Sequence, residues 1–96
     1  MQRNVLLGMM DISVEMLTSP GCHNCEVFAA FWETEKENWP KVSFKEVNIT
    51  EPEGQEIAQK YMIMASPGIL INGELFSTGG VNQKEFLEKL KELSAG

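Results

Sequence analysis

The 96-residue sequence has little of several features that mark large functional classes. It contains two cysteines, whereas a secreted disulfide scaffold of this size usually carries about four to eight. Eight Lys and Arg against 14 Asp and Glu give a formal net charge of −6, and no basic cluster is present to attract phosphates. The apolar run Val5 to Met10 is far shorter than the ~20 residues that a membrane span needs. We therefore expect neither nucleic-acid binding nor a membrane span.

The composition predicts one small folded domain. Hydrophobic residues make up 43% of the chain and charged residues 23%, as in ordinary globular domains. Without a repeat or a linker, residues 1–96 are expected to form a single monomeric domain with its core at about 11–94. Residues 5–10 are interpreted as an additional strand or a frayed start. A secretory signal would need a longer apolar region and a small-residue cleavage site, so we expect a cytoplasmic protein.

Hydrophobic periodicity predicts the order strand, helix, strand, helix, hairpin, helix, which is an α/β fold. The Asn72-Gly73 dipeptide predicts a type I′ hairpin, because both residues tolerate the positive φ that this turn demands. The remaining signals are apolar alternation at 12–17 and 42–49, a helical stripe at Val27, Phe28, Phe31 and Trp32, a second helix near 52–61 and a third around 83–93.

Two polar pairs are predicted to begin helices. Thr50 with Glu53, and Asn82 with Glu85, have the spacing at which an N-terminal side chain and an acidic residue satisfy free backbone N–H groups. The methionines at 62 and 64 are interpreted mainly as core residues, with an adaptable apolar rim for partners as the alternative.

The most informative motif is Cys22-His23-Asn24-Cys25, placed where a strand ends in a turn and a helix begins. The two sulfurs lie about one helical turn apart, so a disulfide can close between them. The free N–H groups of a helix N-terminus favour a thiolate at Cys22 and lower its pKa. Cys25 lies further into the helix and is expected to be shielded. Cys22 is therefore predicted to be the attacking nucleophile and Cys25 the resolving thiol.

Two other classes of function stay open for the same cysteines. One is a module in which Cys22, Cys25 and His23 capture a soft metal, or in which two chains share an iron–sulfur cluster through Cys22 and Cys25. The other is an interaction domain whose cysteine pair switches affinity for a partner without turnover. A structural zinc site within one chain would need carboxylates or a second chain, so we expect neither a resident metal nor a bound cofactor.

The chain resembles the thioredoxin/glutaredoxin superfamily through the cysteine motif, Ser66-Pro67 and Gly79-Gly80, over about residues 11–94. The resemblance implies a thioredoxin-like fold: a four-stranded mixed β-sheet flanked by three helices in the order βαβαββα. It implies that Pro67 is cis and faces the cysteines, and that the Ser66 backbone pairs with an extended substrate. The implied activity is thiol–disulfide oxidation and reduction, with a disulfide-containing protein or small molecule as substrate and a reductase or thiol as electron donor.

Several positions depart from the best-known branches of that superfamily. Pro20 and Gly21 stand where a thioredoxin carries an aromatic residue, and together with His23 and Asn24 they are expected to tune the motif. Met16 occupies the place of the acidic residue that removes a proton in thioredoxins. The neighbouring Glu15 is expected to point to the opposite face of the strand.

The pair Gly79-Gly80 before the last helix has two interpretations. It resembles the place where glutaredoxins hold the γ-glutamyl carboxylate of glutathione, and free helix N–H groups suit a carboxylate. The two glycines can equally serve only to turn the chain.

Overall fold

The computed structural model describes residues 11–95 of the chain. The predicted strand or frayed start at 5–10 lies outside these residues. The elements are β1 (Ile12–Thr18), α1 (His23–Glu35), a short 3-10 helix (Lys36–Asn38), β2 (Val42–Asn48), α2 (Pro52–Tyr61), β3 (Gly68–Ile71), β4 (Glu74–Thr78) and α3 (Gln83–Ala95). The predicted α/β class and element order are confirmed. Between residues 11 and 95, no helix combines the length and apolar character that crossing a membrane requires.

The four strands form one mixed sheet in the order β2-β1-β3-β4. Strand β1 runs parallel to β2 and antiparallel to β3, and β3 runs antiparallel to β4. All four residues of β3 are buried, which explains their continuous apolar run, because helices cover both faces of the central strands. The charged residues at 45 and 46 fit β2 because it is an edge strand, and its register with β1 continues without a bulge.

The main core lies between the sheet and helices α1 and α3. Phe28 of α1 packs edge-on against Phe86 of α3, with ring centroids 4.9 Å apart, and Trp32 contacts the same ring. Val27 is 44% exposed, so its predicted place in the buried stripe is wrong. Helix α1 buries Cys25, Phe28 and Trp32 instead, since adjacent residues differ by about 100° around a helix and Val27 falls outside that arc.

The start of α2 differs from the prediction. The Thr50 hydroxyl donates to the Asn48 side-chain oxygen at 2.7 Å, and the Thr50 backbone N–H donates to the same oxygen at 2.8 Å. Glu51 is the N-cap residue and makes no side-chain capping bond. The predicted Thr50–Glu53 capping box is therefore wrong, because Asn48 competes for the threonine as part of a local turn.

The other turn signals are confirmed. Asn72 and Gly73 have φ values of 51° and 80°, as a type I′ hairpin requires. The Asn82 side-chain oxygen accepts the Glu85 backbone N–H at 2.9 Å and so caps α3.

Candidate active site

The turn after β1 delivers the first cysteine to the start of α1. Residues Ser19 to Cys22 form a β-turn closed by the Cys22 backbone N–H, which donates to the Ser19 carbonyl at 3.2 Å. Pro20 and Gly21 occupy its central positions, and Gly21 has a φ of 74°. This is the pattern of a type II turn, in which glycine best fits the third position.

Cys22 and Cys25 form a disulfide, with their Cα atoms 5.3 Å apart. Cys22 is the N-cap of α1, and its sulfur accepts the Cys25 backbone N–H at 3.1 Å. Cys25 is 5% exposed and belongs to the main core, whereas Cys22 is half-buried. The disulfide that the spacing predicted is present, and its two cysteines differ in their exposure.

The loop before β3 lies against the turn that carries Cys22. The Ser66-Pro67 peptide bond is cis, and Pro67 is buried. The hydroxyl oxygens of Ser66 and Ser19 are 2.6 Å apart and share a hydrogen bond. The loop that contains the predicted substrate-binding residues is thus tied directly to the base of the cysteine motif.

The Gly79-Gly80 segment reaches the same place from the end of β4. The Gly79 N–H donates to the Pro67 carbonyl at 2.9 Å, and the Gly79 carbonyl accepts a long 3.5 Å hydrogen bond from the Asn24 side chain. With a φ of 80°, Gly79 turns the chain. Because its N–H is already donated to Pro67, it is not free to hold a carboxylate. Gly80 is half-buried beside it.

Strand β1 places no acidic side chain beneath the disulfide. Met16 is fully buried in the same core cluster as Cys25, and the buried residues of the described part of the chain include no polar or charged side chain. Glu15 lies opposite Lys45 of β2 in the parallel register. The hydrogen bond and charge of Glu53, 2.8 Å from the Lys45 ammonium, with a smaller contribution from Glu15, raise the pKa of Lys45 above its usual 10.5.

Two features of the site differ from the interpretation of the sequence or are missing from it. The side chains of Met62 and Met64 are 81% and 93% exposed, so their predicted core role is wrong. Met62 adopts the left-handed conformation that ends α2. Ile63, which lies between the two methionines in the sequence, is buried. Ser19 was not predicted as a site residue, because no local pattern links it to a hydroxyl 47 positions away.

His23 is exposed on the first turn of α1, beside the disulfide in sequence. Within residues 11–95, no group of three or more His, Cys, Asp or Glu side chains is placed to hold a metal ion. The chemistry that the described site displays is that of two cysteines at one helix N-terminus.

A paired cysteine motif at a helix N-terminus, set on this mixed sheet, defines a thiol–disulfide oxidoreductase with a thioredoxin-like fold. A family model described as a thioredoxin domain matches residues 10–92, and the chain belongs to this family. The thioredoxin of Methanocaldococcus jannaschii is 29% identical over 85 residues, which cover 88% of this chain and 98% of that protein. A probable thioredoxin of Methanothermobacter thermautotrophicus is 30% identical over 84 residues, covering 86% and 96%.

The comparison with solved structures supports the fold. Oxidised mitochondrial thioredoxin 3 of Saccharomyces cerevisiae superimposes with a TM-score of 0.69 and 19% sequence identity, over 95% of this chain and 87% of that one. The thioredoxin-like fold that the resemblance implied is confirmed.

Proposed function

We propose that the protein reduces disulfide bonds of proteins or small molecules by cycling Cys22 and Cys25 between dithiol and disulfide. The observation that carries the proposal is the unequal exposure of two cysteines at one helix N-terminus. Cys22 is half-buried, so an incoming disulfide can reach its sulfur, whereas Cys25 is 5% exposed. The Cys25 N–H points at the Cys22 sulfur and, together with the helix dipole, stabilises the thiolate once the disulfide is reduced.

The proposed reaction has two exchange steps. The Cys22 thiolate attacks one sulfur of the substrate disulfide, the substrate S–S bond breaks, and the leaving thiolate takes up a proton. Cys25 then loses its proton and attacks the Cys22 sulfur of the mixed disulfide, which releases the second substrate thiol. The substrate gains two electrons, and the protein is left with the Cys22–Cys25 disulfide.

A further partner must return the protein to its dithiol form. We propose a reductase or a low-molecular-weight thiol for this role, because the two-electron exchange needs no organic cofactor on this chain. One chain supplies both cysteines, so the cycle can run in a monomer. The proposed setting is the cytoplasm, where thiols are kept reduced.

Insulin reduction by excess dithiothreitol tests the proposal. Catalytic amounts of the protein should speed the appearance of turbidity, and Cys22→Ser should abolish the acceleration because it removes the nucleophile. Cys25→Ser should lose most of the acceleration, because dithiothreitol must then resolve the mixed disulfide in place of Cys25. Mixed with a substrate disulfide in the absence of dithiothreitol, this variant should accumulate a mixed disulfide that mass spectrometry detects. Ser13→Ala serves as the matched control, because Ser13 is exposed and lies near the start of β1, at the opposite end of that strand from the cysteine motif. A Cys22→Ser variant as active as the wild type would refute the mechanism.

The reduction potential tests the direction of the reaction. Equilibration in defined thiol–disulfide buffers should give a reversible two-electron transition near the thioredoxin value of about −270 mV. A potential nearer about −120 mV would contradict a reductant role and indicate an oxidant.

A further inference from the structure

Ser19 is bonded in two directions at once. Its carbonyl accepts the backbone N–H of Cys22, closing the turn that places the nucleophile. Its hydroxyl shares the 2.6 Å hydrogen bond with the hydroxyl of Ser66. One residue therefore connects the cysteine proposed to attack a substrate with the loop whose Ser66 backbone, by the family resemblance, is predicted to pair with an extended substrate.

The sheet register brings these two serines together. Strands β1 and β3 are antiparallel, with Leu17 opposite Gly68. Continuing this register by two residues beyond that pair puts Ser19 opposite Ser66. The two hydroxyls thus meet where the backbone ladder has ended, and they continue the connection between the two chain segments through their side chains.

The backbone of Ser66 is available to a partner. Within residues 11–95, neither its N–H nor its carbonyl forms a hydrogen bond, whereas the carbonyl of the next residue, Pro67, accepts the Gly79 N–H. Within the same residues, Ser66 forms its hydrogen bond through its side chain, with the Ser19 hydroxyl. Because this pair is partly buried, water competes with it less than with a surface hydrogen bond.

We propose that the Ser19 hydroxyl is a positioning group which, through Ser66, holds the substrate-pairing backbone in register with Cys22. The proposal rests on the proposed function, since it concerns how an extended peptide disulfide is presented to the nucleophile. A peptide that pairs with the Ser66 backbone needs a fixed offset between that backbone and the Cys22 sulfur, because small misplacements of reacting atoms slow a reaction strongly. A small disulfide that reaches Cys22 without this pairing does not need the offset.

The test compares two disulfides that release the same chromophore. Both carry 5-thio-2-nitrobenzoate as leaving group; one is the symmetrical small disulfide, and in the other a cysteine within an extended peptide carries the group. The protein is the Cys25→Ser form, in which mixed-disulfide formation at Cys22 is the last step. The second-order rate constants are measured by absorbance for Ser19→Ala, Ser66→Ala, the double variant, Ser19→Thr and the control Ser13→Ala.

Ser19→Ala should slow the peptide reaction by about three- to tenfold, the value of one hydrogen bond. Ser19→Ala should change the rate of the small-disulfide reaction by less than about twofold, and so should the control Ser13→Ala. Ser66→Ala should have the same effect as Ser19→Ala, the double variant should be no slower than either, and Ser19→Thr should restore the peptide rate by returning a hydroxyl.

Other results overturn the proposal in distinguishable ways. Equal slowing of both disulfides would mean that the hydroxyl acts on the Cys22 thiolate and not on the peptide. Unchanged rates, or slowing that adds fully in the double variant, would show that the two serines do not act as a unit. If the parent Cys25→Ser form reacts with neither disulfide, the proposed function itself fails and this inference fails with it.

Discussion

Replacement of Gly54 by alanine gives a sharp test of how α2 is seated on the sheet. A Cβ atom at this buried position would collide with the backbone carbonyl of Asn48 at the end of β2. Alanine in a helix normally stabilises by about 1 kcal/mol relative to glycine. Overpacking costs about 3 kcal/mol when the group in the way cannot rotate aside. We expect the free energy of unfolding to fall by about 2 kcal/mol, or the melting temperature by about 8–16 °C.

Urea denaturation, followed by helical circular dichroism, measures this change. Glu56→Ala alters an exposed position of the same helix and should shift the free energy of unfolding by less than about 0.5 kcal/mol. If Gly54→Ala were as stable as the wild type or more stable, helix propensity would outweigh the collision and the close approach of α2 to β2 would be refuted.

Four further substitutions probe the cap, the core and the uncharged interior, each by urea denaturation. Asn82→Ala should cost about 1 kcal/mol, because it removes the side chain that caps α3. Phe28→Ala should cost about 3–5 kcal/mol, whereas Val27→Ser, at a position 44% exposed, should cost less than about 1 kcal/mol. Met16→Asp should become less stable as pH rises, by about 4 kcal/mol between pH 4 and pH 8 if burial raises the pKa of the new carboxyl to about 7.

The sign of the last prediction follows from proton binding. The unfolded aspartate has a pKa of about 3.9, and burial at Met16 raises the folded value, so above about pH 4 the folded state binds more protons. The stability therefore falls with rising pH until the folded pKa is passed. A loss of equal size at both pH values would contradict this reasoning. A Val27→Ser loss as large as that of Phe28→Ala, or an Asn82→Ala variant as stable as the wild type, would contradict the packing and capping assignments.

Local rules were sufficient where the chain determines its own geometry within a few residues. The Asn72-Gly73 hairpin follows from the conformations that those two residues tolerate, and both have positive φ. The disulfide follows from the three-residue spacing of Cys22 and Cys25 on one helical turn. The element order follows from apolar periodicity for the same reason, since burying one face is a local demand on each segment.

Competition between neighbours and contacts between distant segments explain what was missed. The Thr50 side chain could have capped α2 near Glu53, but it donates its hydrogen bond to the Asn48 side chain instead. Met62 has the polarity of a core residue, but it ends α2 in a left-handed conformation and faces solvent. The hydrogen bond between Ser19 and Ser66 depends on which strands are neighbours and in which register, and periodicity alone carries neither piece of information.

Strand direction explains why three separated segments form one site. Because β1 and β4 both run antiparallel to β3, the last residues of β1 and β4 and the first residues of β3 lie at the same end of the strands. Cys22 follows β1, Ser66 precedes β3 and Gly79 follows β4, so all three lie at that end of the sheet. The hydrogen bonds from Gly79 to Pro67 and between the two serines can then form. If β4 ran parallel to β3, the chain would carry the same motifs, but Gly79 would lie at the opposite end of the strands, away from the cysteines.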